Sequence, residues 1–120
     1  MAKKVHQVAT TAELPIGGKK IINIGKRSIG LFNVHGNYHA LPNLCPHQIG
    51  PLCEGAISGT TDAREETGWQ VEWVQEGEIV ACPWHGIEYH IPTGRCVPFP
   101  EISIRSYKVW AEDDAIFIEI

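Results

Sequence analysis

The sequence predicts an all-β protein, an antiparallel β-sandwich, and three observations carry that reading. Short runs rich in Ile, Val and Tyr alternate with Gly- and Asn-containing turn signals. No helical period is visible before residue 45. The C-terminal segment places Ile116, Ile118 and Ile120 on one face of an extended strand.

Residues 4 to 9 form a short first strand, and Glu13 to Gly18 a loop carrying Pro15 and the pair Gly17-Gly18. Lys20 to Ile24 and Ser28 to Val34 are strands split by Gly25-Lys26-Arg27, a hairpin signal. Gly36-Asn37 closes a second hairpin into Tyr38 to Pro42, giving a meander in place of a βαβ unit. A long loop from Leu44 ends in a short strand near Ala56 to Ser58. Thr60 to Thr67, polar and acidic, reads as an insertion. Trp69, Val71 and Trp73 alternate with Gln70 and Glu72, so one face is apolar and both tryptophans read as core. Glu76-Gly77-Glu78 turns the chain into Ile79 to Ala81. Ile87 to Ile91 is the next strand, with Pro92-Thr93-Gly94 as its turn. Ser103 to Trp110 and Ala115 to Ile120 close the fold as a hairpin around Glu112-Asp113-Asp114.

Two loops carry the chemistry. Cys45-Pro46-His47 and Cys82-Pro83-Trp84-His85 each offer one thiolate and one imidazole. That equal split suits a two-iron, two-sulfur centre with cysteines on one iron and histidines on the other. Side chains two apart in an extended segment point the same way, and Pro46 biases the backbone to extended angles. In the second loop Pro83 suits a β-turn, which brings Cys82 and His85 together, and Gly86 lets the chain leave. Two ferric ions, two sulfides and two thiolates sum to about neutral, so an added electron meets less repulsion than in an all-cysteine cluster. Each imidazole keeps a second nitrogen, whose N–H couples the potential to pH. The competing reading, a structural Cys2His2 zinc site, uses Cys-X2-4-Cys and His-X3-5-His spacings instead.

Cys45-Pro46-His47 followed by Gly50-Pro51-Leu52 and Glu54-Gly55, with Cys82-Pro83-Trp84-His85-Gly86 followed by Glu88-Tyr89 and Thr93-Gly94-Arg95, resembles the Rieske ferredoxin family and the Rieske domains of ring-hydroxylating oxygenases. The resemblance covers nearly the whole chain. It implies one Rieske-type [2Fe-2S] cluster, with Cys45 and Cys82 on the inner iron and His47 and His85 on the outer, more exposed one. It implies a single Rieske domain over residues 1–120, in which a cluster-binding subdomain of about 43–100 is inserted in a base β-domain. Val97-Pro98-Phe99-Pro100 is similar to the family's proline loop, which covers the cluster from a third side. Tyr89 is the candidate hydroxyl donor to a cysteine sulfur. Trp84 reads either as a hydrophobic shield over the cluster or as a docking contact.

Departures from the respiratory branch are specific. Its extra loop cysteines, bridged as a disulfide, are Gly50 and Trp84 here, and Ile87 stands where high-potential proteins have a serine. One hydrogen bond fewer to sulfur lowers the potential. The segment between the loops is also longer than in compact Rieske ferredoxins. Cys53 and Cys96 remain outside the ligand set, as two partly buried thiols or, alternatively, an oxidised pair. His6, His35, His39 and His90 read as surface or hydrogen-bonded residues, with His90 near enough to the second loop to influence it.

A chain of 120 residues with net charge −4 makes one domain and has no 18-residue apolar run, so neither a membrane partner nor a membrane span is expected. Lys3 and Lys4 are followed by no apolar segment, which argues against a secretion signal and for a cytoplasmic protein. Lys3, Lys4, Lys19, Lys20, Lys26 and Arg27 share their part of the chain with Glu13 alone, whereas residues 60 to 78 hold Asp62, Glu65, Glu66, Glu72, Glu76 and Glu78 beside Arg64. That argues against nucleic acid and for electrically distinct ends, the acidic one meeting a basic partner or simply solvated.

Without a dinucleotide or phosphate loop or a mononuclear iron triad, no catalytic residues are expected. The reading is a soluble ferredoxin, an electron-transfer protein and not an enzyme. It takes single electrons from a flavin reductase and passes them through the edge of His47 or His85 to a terminal oxygenase or other oxidoreductase; both partners are implied by the resemblance. The alternatives are a small Rieske subunit of a larger oxygenase or nitrite reductase, and a cluster-based redox sensor.

Overall fold

The computed structural model describes residues 4–44, 51–62, 68, 72–83 and 86–120. Its strands are β1 (Val5–Thr10), β2 (Lys19–Ile24), β3 (Arg27–Val34), β4 (Asn37–Pro42), β5 (Ile57–Asp62), β6 (Glu72–Ala81), β7 (Glu88–His90), β8 (Lys108–Glu112) and β9 (Ala115–Glu119), with 3-10 turns at Thr11–Glu13 and Leu52–Glu54. All pairing between these strands is antiparallel, in sheets ordered β1-β9-β8, β2-β3-β4 and β5-β6-β7. An Ala40 to Tyr107 bridge ties β4 to the residue immediately before β8.

β3 explains the architecture. Its run Ile29-Gly30-Leu31-Phe32-Asn33-Val34 is buried throughout, as a strand covered on both faces must be. The two-residue period then splits it. Ile29 and Leu31 enter a core with Ile22, Ala40, Ile116 and Ile118, whereas Phe32 and Val34 enter a second core with Leu52, Cys53, Val80, Cys82, Tyr89 and Cys96. The second core lies under the candidate loops, so β3 is the wall between the base and the site.

The hairpins at β2–β3 and β8–β9 form, but with two-residue turns, Gly25-Lys26 and Asp113-Asp114, because Arg27 and Glu112 pair within the strands. β8 begins at Lys108 and not at Ser103. Ile116 and Ile118 are fully buried as the alternation requires. Other expectations need correction. The β3–β4 turn is His35-Gly36, not Gly36-Asn37, because Val34 pairs with Asn37 and both turn residues take positive φ, 52° and 95°. Thr60 to Asp62 belong to β5 and not to an insertion. Glu76-Gly77-Glu78 is no turn. β6 runs unbroken through it and absorbs the extra residues as a bulge, where the register jumps from Ser58↔Ile79 to Thr60↔Val74 and Gln75 and Gly77 take positive φ.

The bulge also explains Trp73, expected in the core but 58% exposed, its indole N–H donating to Glu76. Ile79 and Val80, after the bulge, are fully buried, whereas Trp73, before it, is exposed. Trp69 and Val71, and the polar residues 63–67, lie outside the described residues. Among the described residues no helix is long and apolar enough to cross a membrane.

Candidate metal centre

Of the four candidate ligands, Cys82 is described; Cys45, His47 and His85 lie outside the described residues, as do Gly50 and Trp84. Cys82 follows β6 directly and is 1% exposed. Its N–H donates to the Ile87 carbonyl at 2.8 Å, and its own carbonyl accepts the Gly86 N–H at 2.7 Å. These bonds continue the β6–β7 ladder one step past the Ala81↔Glu88 pair and close the six-residue loop at its neck.

The first loop leaves β4 at Asn43 and returns through the Leu52–Glu54 turn. The Asn43 N–H donates to the Ser28 carbonyl at 2.9 Å, which holds the exit against β3. On return, Gly55 passes so close to β6 that a Cβ there would lie 1.7 Å from the Ala81 carbonyl oxygen. The Ala81 N–H donates to Ala56 at 3.1 Å, and the Lys19 ammonium donates to the Gly55 carbonyl at 2.5 Å. The root of the first loop therefore touches the residue immediately before Cys82. Two loops rooted this close suit a donor set of one thiolate and one imidazole from each, shared across a two-iron centre.

Tyr89 is fully buried in β7, paired across the sheet with Val80 and bridged on its other side to Cys96, so it sits in the same core as Cys82. The segment after Cys96, the candidate proline loop, has its neck closed by Cys96 N–H to Ile102 carbonyl at 2.9 Å and Ile102 N–H to Phe99 carbonyl at 2.8 Å. Pro98 is exposed and Phe99 is 41% exposed. Ile87 is partly buried against the second core.

Cys53 stays a thiol, donating to the carbonyls of Leu41 and Pro42 at 3.5 Å each. It packs on Gly30, where a Cβ would meet its sulfur at 2.5 Å. Burial pushes its pKa up to about 12, outweighing the Gly30 N–H bond and the Lys19 charge. It was expected to be partly buried and is wholly so; Cys96 is 1% exposed.

Of the remaining histidines, His35 lies at the surface and His90 is hydrogen-bonded, as expected, whereas His6 and His39 are partly buried. His90 places Nδ1 2.8 Å from Thr93 and Nε2 2.8 Å from Glu78, and His35 reaches the other Glu78 oxygen at 3.6 Å. The β6 bulge is thereby tied to the β3–β4 turn. Burial, helped by the charge of His90, holds His39 below the usual histidine range. Among the described residues no three His, Cys, Asp or Glu side chains meet as metal ligands.

Sequence reasoning missed Asn43 and Lys19, and it quoted Glu54-Gly55 without a role. An Asn two residues before a loop cysteine is a turn-forming signal, whereas nothing local marks the partner of Gly55.

The family model of the Rieske [2Fe-2S] domain matches residues 4–108. Similar known proteins include apoptosis-inducing factor 3 of Homo sapiens, 28% identical over 112 residues, which are 92% of this chain but 16% of that protein. The ferredoxin component of a naphthalene 1,2-dioxygenase system of Pseudomonas aeruginosa is 24% identical over 122 residues, 100% of this chain and 99% of its own. Among solved structures, the Sphingomonas yanoikuyae B1 ferredoxin has TM-score 0.71 and 26% identity, covering 98% of this chain and 99% of that one. The chain thus spans only 16% of one relative's length and nearly all of two others. With its antiparallel sheets and converging loop roots, the chain belongs to the Rieske [2Fe-2S] domain family and takes one Rieske-type cluster as its cofactor.

Proposed function

We propose that the protein is a soluble, cytoplasmic ferredoxin that carries single electrons from a reductase to a terminal oxygenase. One observation carries most weight: the match to the ferredoxin component of a naphthalene 1,2-dioxygenase system covers 100% of this chain and 99% of that protein, and the match to a solved ferredoxin 98% and 99%. Cys45 and His47 from the first loop, with Cys82 and His85 from the second, are the proposed ligands. The cluster, when bound, supplies a reversible one-electron couple. The chain's own residues do the rest. Cys82 is held in a buried, backbone-pinned position. Tyr89, in the same core, is the proposed hydroxyl donor to a ligand sulfur. Trp84 and the exposed Pro98 loop are the proposed covers, and the imidazole edges of His47 and His85 the exit for the electron.

Residues 43–100 are proposed as the cluster-binding subdomain of a single domain spanning 1–120. The support is that β5, β6 and β7 form their own sheet and lie in the chain between β4 and β8, while a bridge from Ala40 to Tyr107 joins β4 to the residue before β8.

Purified protein is expected to be coloured, with about two irons and two sulfides per chain and a Rieske-type EPR signal once reduced. A flavin reductase with its nicotinamide donor should reduce it, and the reduced form should support turnover by a ring-hydroxylating oxygenase. A colourless zinc protein would remove the cluster reading. A coloured protein that no reductase reduces, and that passes no electron on, would remove the carrier reading alone.

A further inference from the structure

Among the side chains that close the first loop, the Asn43 amide makes the most bonds. Asn43 Oδ1 accepts the Cys53 N–H at 2.8 Å, while its Nδ2 donates to Ser28 Oγ at 3.1 Å and to Glu54 Oε2 at 3.2 Å. Its backbone N–H is meanwhile spent on the Ser28 carbonyl. A single side chain therefore joins β3, the departing end of the loop and the 3-10 turn on which the loop returns. No other common side chain offers both an acceptor and two donors at this reach: aspartate lacks the donors, and leucine lacks everything but the volume.

At the neck of the second loop the main chain supplies closing bonds, from Cys82 to Gly86 and Ile87. The first has no strand ladder across its neck, since it joins a strand to a 3-10 turn. We propose that Asn43 is a positioning residue for the iron centre. With its amide bonded to Ser28, Glu54 and Cys53, it fixes the separation of the loop's two ends and so sets where Cys45 and His47 stand relative to Cys82 and His85. This rests on the reading of Cys45 and His47 as ligands.

Asn33 provides the control. It is also a buried, two-ended staple, its Nδ2 donating to the Leu14 carbonyl at 3.0 Å and its Oδ1 accepting the Gly36 N–H at 2.9 Å. It serves the β3–β4 turn and the base, with no bond to either candidate loop. Asn43→Ala and Asn33→Ala are compared as holoproteins for thermal midpoint, for the rate at which a chelator removes iron, and for the EPR g-values of the reduced state.

The expected result is about tenfold faster iron loss and displaced g-values in Asn43→Ala, with Asn33→Ala losing thermal stability but keeping the native spectrum. Asn43→Asp should retain the Cys53 bond yet set a carboxylate against Glu54. Adding Glu54→Gln reverses the polarity of that contact and should restore slow iron loss. The proposal is overturned by a native spectrum and native iron retention in Asn43→Ala. It is equally overturned by iron loss in the two alanine variants that tracks their thermal midpoints alike. Cys45→Ser and His47→Ala test the ligand reading separately: a native spectrum in either would remove that reading whatever Asn43 does.

Discussion

The two candidate ligand loops solve one problem in different ways. The second spans a hairpin, so its neck is closed by main-chain bonds from Cys82 to Gly86 and Ile87 that add to a ladder already present. The first joins β4 to a 3-10 turn, where no ladder reaches, and side chains close it: the Asn43 amide, the Lys19 ammonium and the Cys53 thiol. Main-chain closure tolerates many side chains but is sensitive to backbone conformation; side-chain closure is the reverse. The loops should therefore break in different ways.

The largest effect is expected where their roots meet. Gly55 has φ −74° and ψ 170°, angles that alanine adopts freely, so Gly55→Ala isolates the collision with the Ala81 carbonyl. Backbone cannot yield as a side-chain tip does, and a cost of about 3 kcal/mol or more follows, a fall in thermal midpoint on the order of 10 °C. Iron content should fall with it, since both loops lose their common footing. Thermal melts and iron analysis check this; native values in both would mean that the roots are not held in contact.

A smaller effect should separate strain from collision. Gly86, in the second loop, has φ +68° with open space where a Cβ would go. Gly86→Ala should cost about 1–2 kcal/mol through the left-handed backbone alone, with iron retained. Loss of iron here would show the second loop to be as dependent on contacts as the first.

Tyr89→Phe sharpens the comparison at the level of the electron. If the hydroxyl donates to a ligand sulfur, its removal should lower the reduction potential by about 40 mV, the one-electron equivalent of ~1 kcal/mol. Voltammetry checks it, and an unmoved potential would mean that the hydroxyl serves the core only.

The smallest effect at ordinary pH concerns Cys53, at the first loop's root. Its folded pKa, about 12, lies above the ordinary 9.0, so the folded state favours the protonated thiol. That contribution is fully present below pH 9.0 and fades as pH rises from there through about 12. Cys53→Ala should flatten the alkaline fall in thermal midpoint within this window, with little change in slope near neutrality. In the native protein at pH 8 the thiol should resist alkylation, which mass spectrometry reads directly.

Much of this could be read along the chain. The candidate ligand motifs need only residue types at short spacing. The hairpins at β2–β3 and β8–β9 needed only turn chemistry between apolar runs. Failures came where local pattern was ambiguous. Glu76-Gly77-Glu78 has the composition of a turn, and only pairing with β5 and β7 turned it into a bulge. Trp73 sits in an alternating run but lies before the bulge and is exposed.

The sequence by itself determined the all-β class, the strand faces and the two Cys/His loops, because side-chain period and turn geometry act over a few residues. Tertiary structure alone decided that β3 divides two cores, that β9 lies between β1 and β8, and that Gly55 meets Ala81. It also decided that Asn43 bridges Ser28 and Cys53. Those contacts join residues distant in sequence, and their partners are selected by packing the whole chain at once, so no short window of residues contains them.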